Sequence, residues 1–192
     1  MSIAARWHYD LARFFLFIGR DEIAARQLGA ALKLDDDFVL AHESLAFLHA
    51  SAGRTELAIK GFESALSLAP ERAATWFNLG FVYHGRNENE KAVSAFEKAV
   101  ELNPTIDRAW FGMGLAQRSL GRLADAAKAL ERSGKLQPMN PHAWYELGMT
   151  YYALKRYAKV QEVIDYLDGF DPKWTMQLAR DTPNRSGLAP SA

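Results

Sequence analysis

The side chains able to do chemistry are few, and their spacing does not suit a reaction. Asp35, Asp36 and Asp37 are adjacent carboxylates, but three acids in a row read as a solvated turn with helix-start charge rather than as a metal site. His84 has no obvious carboxylate or second histidine beside it. There is no glycine-rich phosphate loop after a strand, no HExxH and no GxSxG. The chain is therefore read as a non-enzyme with no cofactor and no metal. What stands out instead is apolar recognition. The segment "WFNLGFVY", residues 76–83, holds four aromatic rings in eight positions. At about 100° per residue, Trp76, Leu79, Gly80 and Tyr83 share the i, i+3, i+4, i+7 stripe that packs a core. Phe77, Phe81 and His84 form a second stripe about a quarter turn away. Rings there are left over for contact with something else.

Composition narrows what that something can be. The 23 basic and 23 acidic side chains cancel, which argues against a nucleic-acid backbone, whose binding domains carry a clustered basic excess. With no cysteine there is no disulfide, no thiolate nucleophile and no cysteine-ligated zinc, in keeping with a cytoplasmic protein. The apolar run Phe14 to Ile18 falls short of the roughly 20 residues that cross a bilayer. Asp10 and Arg13 interrupt a signal-peptide reading, so the run is taken as part of the fold.

The elements that must position the aromatic stripe repeat themselves. Trp76, Trp110 and Trp144 are 34 apart (110 − 76 = 34; 144 − 110 = 34), and "WFNLGFVY", "WFGMGLAQ" and "WYELGMTY" are versions of one helix. The same step backwards reaches His42 and His8. Behind each of these helices runs a second, as in "EKAVSAFEKAVELNP" at 90–104. Five units follow without a gap: 5–38, 39–72, 73–106, 107–140 and 141–174. Ala12, Ala46, Gly80, Gly114 and Gly148 share one small-residue site that lets paired helices approach closely. Leu28, Phe62, Phe96, Leu130 and Ile164 supply the large partners. Gly19, Gly53, Asn87 and Gly121 end first helices, and Asn140-Pro141 reads as an N-cap followed by a first-turn proline. Asp171-Pro172 starts a last helix, about 172–181, whose Trp174 and Leu178 are placed to cover the final layer. Residues 182–192 read as a flexible tail, leaving 1–181 as a single domain.

Trp76, Leu79, Gly80, Tyr83, Ala92, Phe96, Ala99 and Pro104 match the 34-residue pattern of the tetratricopeptide repeat family, which the chain resembles over about nine tenths of its length. The resemblance implies an all-α fold: a right-handed superhelical solenoid of five helix-turn-helix units plus a C-terminal capping helix. It also implies that the second stripe lines a concave groove that binds peptides or partner helices. In this sequence the groove positions are Phe47 in the second unit and Phe77, Asn78, Phe81 and His84 in the third. Phe111 and Leu115 follow in the fourth, and Tyr145, Met149 and Tyr152 in the fifth; Tyr9 holds the matching place in the first unit. The fourth unit has six basic residues against three acidic, a net +3, while every other unit sums to −1. Its Arg108 and Arg118 lie on the groove side, fitting an acidic group or C-terminal carboxylate on the ligand. Neither the basic and asparagine clamp of the chaperone-tail binders nor the asparagine ladder of the glycosyltransferase type is present.

Trp7, Phe14 and Ile18 make a third stripe on the first helix, at positions that would pack on a preceding unit. A helix apolar on every side is normally buried, so this edge is expected to form a homo-oligomer or dock a partner, with membrane-surface contact less favoured. His8, His42 and His49 stand on the packing stripe and read as core fillers. The expected function is an adaptor or chaperone-like interaction module that binds another protein or peptide through apolar anchors. A self-assembling scaffold and a secretion-type chaperone are the alternatives.

Overall fold

The computed structural model describes residues 2–183. Among them there are eleven α-helices and no strand. They pair as α1 (Ile3–Phe17) with α2 (Asp21–Leu34), α3 (Val39–Ser51) with α4 (Thr55–Leu68), and α5 (Ala73–Gly85) followed by α6 (Asn89–Leu102). Then come α7 (Asp107–Ser119) with α8 (Leu123–Leu136), α9 (Pro141–Ala153) with α10 (Tyr157–Asp168), and α11 (Pro172–Asp181). The 34-residue spacing is thus a spacing of helix pairs. The chain divides into two compact units, Met1–Arg86 and Asn87–Ala192. Each has its own interior.

Turns recur in register with the helices. Gly19, Gly53 and Gly121 have φ near +70°, and Asn87 and Lys155 adopt the same left-handed conformation at φ 61° and 56°. These five positions are 34 apart, so the fifth turn needs that backbone even though its residue is a lysine. Asn140 accepts from the His142 N–H and Asp171 from the Trp174 N–H, each with a proline in the first helical turn. Both N-caps are as the sequence suggests.

In the first unit the interior is built on Leu28 and Phe62, both fully buried, with Ala12, Ala24, Ala46 and Ala58 letting the helices close. A Cβ added at Gly61 would lie 2.8 Å from the Ala46 Cβ. The small pair is shared across α3 and α4. Tyr9 is buried here with its ring 4.9 Å from that of Phe38. Its place on the leftover stripe therefore does not leave it free, because Phe38 at the start of α3 reaches back over it. Glu43 accepts from Thr75 and from both ends of the Arg72 guanidinium, joining α3 to α5. The hydrogen bond to Glu43 raises the Arg72 pKa.

In the second unit Phe96, Leu130, Leu147, Leu167 and Leu178 are buried. A Cβ at Gly114 would meet Leu130 at 2.6 Å, and one at Gly148 would meet Leu178 at 2.5 Å. The last contact is how α11 seats itself on α9.

One bond recurs that the residue pattern alone did not reveal. The indole N–H groups of Trp76, Trp110 and Trp144 donate to the carbonyls of Pro70, Pro104 and Pro138 at 2.8–2.9 Å. His42 does the same from Nε2 to the Asp36 carbonyl at 2.7 Å. The histidine replaces the tryptophan as a donor as well as a filler. His8 donates from Nδ1 to Gln27 Oε1 instead, at 2.7 Å. Asp36 and Asp37 are exposed, Asp35 accepts from the Ser2 N–H, and no group of three metal-binding side chains occurs among the described residues.

Candidate functional site

The aromatic stripe meets different surroundings in the two units. On the first, Phe47 of α3 and Phe81 of α5 are 59% and 65% exposed. They are 34 residues apart, so they occupy the same position on successive first helices. Between them is an apolar cleft of about 330 Å³, with Phe62 in its lining and Ser51, Thr55 and Asn78 contributing polar atoms. Phe62 is almost fully buried, so the cleft has a rigid floor. Phe77 and His84 lie on the same helix as Phe81 and are half-buried. His49, on α3, has its Nδ1 buried without a hydrogen-bond partner, and burial, with Arg54 nearby, lowers its pKa. Both causes favour its neutral form.

Chemically, this cleft can exclude water from one or two apolar side chains while offering a few hydroxyl and amide groups to a backbone. Each aliphatic or aromatic side chain buried there is worth about 1.5–3 kcal/mol before the cost of ordering the ligand. Its lining has no charged side chain, and Glu43, one turn before Phe47, is held by Arg72 and Thr75.

On the second unit the same stripe is used up by the chain itself. The Tyr145 hydroxyl donates to Asp181 Oδ2 at 2.8 Å and its ring lies 5.0 Å from that of Trp174. Burial, then the bond to Asp181, pushes the Tyr145 pKa up to about 12. Hydrogen bonds from Gln177 and from Tyr145 lower that of Asp181. The Tyr152 hydroxyl donates to the Pro183 carbonyl at 2.9 Å, and Met149 packs with both tyrosines on the interior. Thr182 is buried and bonds back to the Leu178 carbonyl. Thr182 and Pro183 thus engage the helices, while residues 184–192 of the expected tail lie outside the described residues.

Phe111 is half-buried against the same interior and Leu115 is half-buried. Arg118 is ion-paired with Glu146, and Arg108 is exposed. Sequence reasoning placed both arginines on the binding side but did not see that α9 supplies a carboxylate to Arg118. The signal was available, since Glu146 lies 28 residues beyond it, on the next first helix.

On α1, Trp7 is 61% exposed, and Phe14 and Ile18 are exposed with it. Ile3 and Phe17 add to this face. Ile3 is too exposed to serve as local cover.

Two family models, each described as tetratricopeptide repeat, match the chain, one over residues 36–105 and the other over 81–135 and 111–159. Solved structures share the fold. YrrB, a TPR protein with an unusual peptide-binding site, is 22% identical with a TM-score of 0.80 over 90% of each chain. MamA from Desulfovibrio magneticus RS-1 is 20% identical with a TM-score of 0.79, covering 95% of this chain and 99% of that one. PilF of Pseudomonas aeruginosa is 22% identical with a TM-score of 0.76, over 93% and 84%. No curated protein matches by sequence.

Proposed function

This chain belongs to the tetratricopeptide repeat family, and from that premise we propose that it works as an adaptor or chaperone-like module whose first unit grips apolar anchors of a partner peptide or helix. The observation that carries the reading is the pair of exposed rings, Phe47 and Phe81, standing over an apolar cleft floored by Phe62. Exposed aromatic rings one repeat apart, with a preformed cavity between them, are a poor use of surface unless something covers them. Two anchors at about 1.5–3 kcal/mol each, less ordering costs, give a dissociation constant on the order of 100 micromolar or weaker. The cytoplasm is the compartment that goes with this reading, and a secretion-type chaperone is its narrower form. The test is a selection of displayed peptides on the full chain, with the double variant Phe47→Ala, Phe81→Ala as counter-screen. Selected peptides should share two apolar anchors and bind the variant at least tenfold more weakly while its helicity is unchanged. Peptides that bind both proteins equally would remove the reading.

A second reading, self-assembly, is favoured by the exposed face of Trp7, Phe14 and Ile18. Trp7, Leu11, Phe14 and Ile18 follow the 4-3-4 spacing of a helix seam. Sedimentation velocity over a hundredfold concentration range decides it: association that vanishes in Trp7→Glu supports assembly through α1, and a constant monomer eliminates it.

A further inference from the structure

The last position of the first-helix packing stripe is His49, Tyr83, Gln117 and Tyr151 in successive repeats, each 34 residues after the one before. Two of these sit side by side in the second unit and differ in what they leave open. Tyr151 is buried, and the cleft beside it, next to Trp144 and Glu131, is about 210 Å³. Where Gln117 stands instead, the cleft is about 620 Å³, about three times as large. Roughly 150 Å³ of apolar space is enough to hold a benzene ring. Ala129 and Arg132 stand where the smaller cleft has Val163 and Tyr166, so the missing phenol is one of three changes that open the space.

The walls of this larger cleft come from α6, α7 and α8. Trp110 and Met113 supply apolar surface, and the bond from the Trp110 indole to the Pro104 carbonyl at 2.9 Å fixes the tryptophan as a rigid wall. Gln117 is only 8% exposed, and its Oε1 is buried with no hydrogen-bond partner. Buried acceptors are nearly always satisfied, so this one asks for a donor. The terminal torsion of a glutamine is soft, so the amide of Gln117, which lines the cleft, can reorient to meet a donor there. Glu97 lines the mouth at the repeat position of Glu63, which in the first unit accepts from the Tyr83 hydroxyl at 2.8 Å. Arg122 and Lys128, also at the mouth, are ion-paired with Glu90 and Asp125. Arg132 also lines the cleft and is exposed.

We propose that the cleft bounded by Trp110, Met113, Gln117 and Glu97 is a binding site for a tyrosine side chain presented by another polypeptide. The ring fills the space that the chain's own tyrosine takes in the neighbouring repeat. Its hydroxyl, entering first, donates to Gln117, and Glu97 stands where the partner backbone leaves. This site is independent of the cleft at Phe47 and Phe81, and its failure would leave that reading untouched.

An NMR titration of the full chain with p-cresol, the isolated tyrosine side chain, tests it. Saturable shifts are expected at the Gln117 side-chain amide and the Met113 methyl, with toluene at least tenfold weaker and N-acetyltyrosinamide binding at least as well as p-cresol. Gln117→Tyr should abolish p-cresol binding because the chain's own ring occupies the space. Gln117→Leu should bring p-cresol and toluene to equal affinity. The proposal is overturned by an absence of saturable shifts, by toluene binding as well as p-cresol, or by p-cresol binding that N-acetyltyrosinamide cannot reproduce. Unchanged p-cresol affinity in folded Gln117→Tyr, or an unchanged preference over toluene in Gln117→Leu, overturns it as well.

Discussion

Phe47 and Phe81 on the first unit and Tyr145 and Tyr152 on the second belong to the same stripe of their first helices, yet the first pair is exposed and the second is bound to its own chain. The stripe is the same; the next element is not. A benzene ring has nothing to offer a carboxylate, whereas a phenol can donate to one. At the end of the second unit, α11 brings Asp181, and the residues after it bring the Pro183 carbonyl, within hydrogen-bond reach of the two phenols. Side-chain chemistry and local cover together decide whether a repeat surface is a site or a seam. The fifth repeat is closed by its own helix, whereas Phe47 and Phe81 of the first unit are exposed.

The largest effect should come from removing the anchor of that closure. Leu178 is fully buried against Gly148, and Leu178→Ala should cost about 2–5 kcal/mol, read as a lower midpoint in thermal or urea unfolding. Amide exchange in α11 and at Tyr145 should accelerate with it. An unchanged midpoint would mean that α11 does not hold the fifth repeat shut.

A smaller effect separates the phenols from the benzene rings by pH. Tyr145 has its pKa raised from 10.0 to about 12 in the folded state, so folding binds its proton more tightly. Its contribution to stability is complete below about pH 10 and is lost as pH rises toward about 12. Asp181→Asn removes the carboxylate that helps raise it and should move the Tyr145 titration down, as followed by ultraviolet difference absorbance. A titration that does not move would leave burial as the whole cause.

The smallest effect is expected at the exposed pair. Phe47→Ala and Phe81→Ala, away from any buried packing of their own, should each change stability by about 0.5 kcal/mol or less. A loss of several kcal/mol in a thermal melt would show that the rings are structural, and the contrast with Tyr145 would collapse.

Much of the fold was legible because the repeat makes each helix testify for the others. The left-handed turn at Lys155 falls on the same 34-residue step as Gly19, Gly53, Asn87 and Gly121, although lysine itself carries no such signal and sequence reasoning did not extend the step to it. Replacement residues were harder to read. His42 looks like a filler until its Nε2 is found on the Asp36 carbonyl, the place where Trp76 and Trp110 make the same kind of bond. Candidate site residues were legible as a face but not as a surface. Periodicity puts Tyr9 and Phe47 on one stripe, and only Phe38 closing over Tyr9 separates them.

By itself the sequence determined the helix pairs, their 34-residue step, the turns and caps, and which side chains face the interior, because these depend on local backbone preference and on a periodic apolar pattern. The tertiary structure decided which of the remaining rings stay open, which carboxylate meets Arg118, and where a missing tyrosine leaves room. Those outcomes depend on what a neighbouring helix brings within about 3 Å of a given atom, and periodicity carries no record of that.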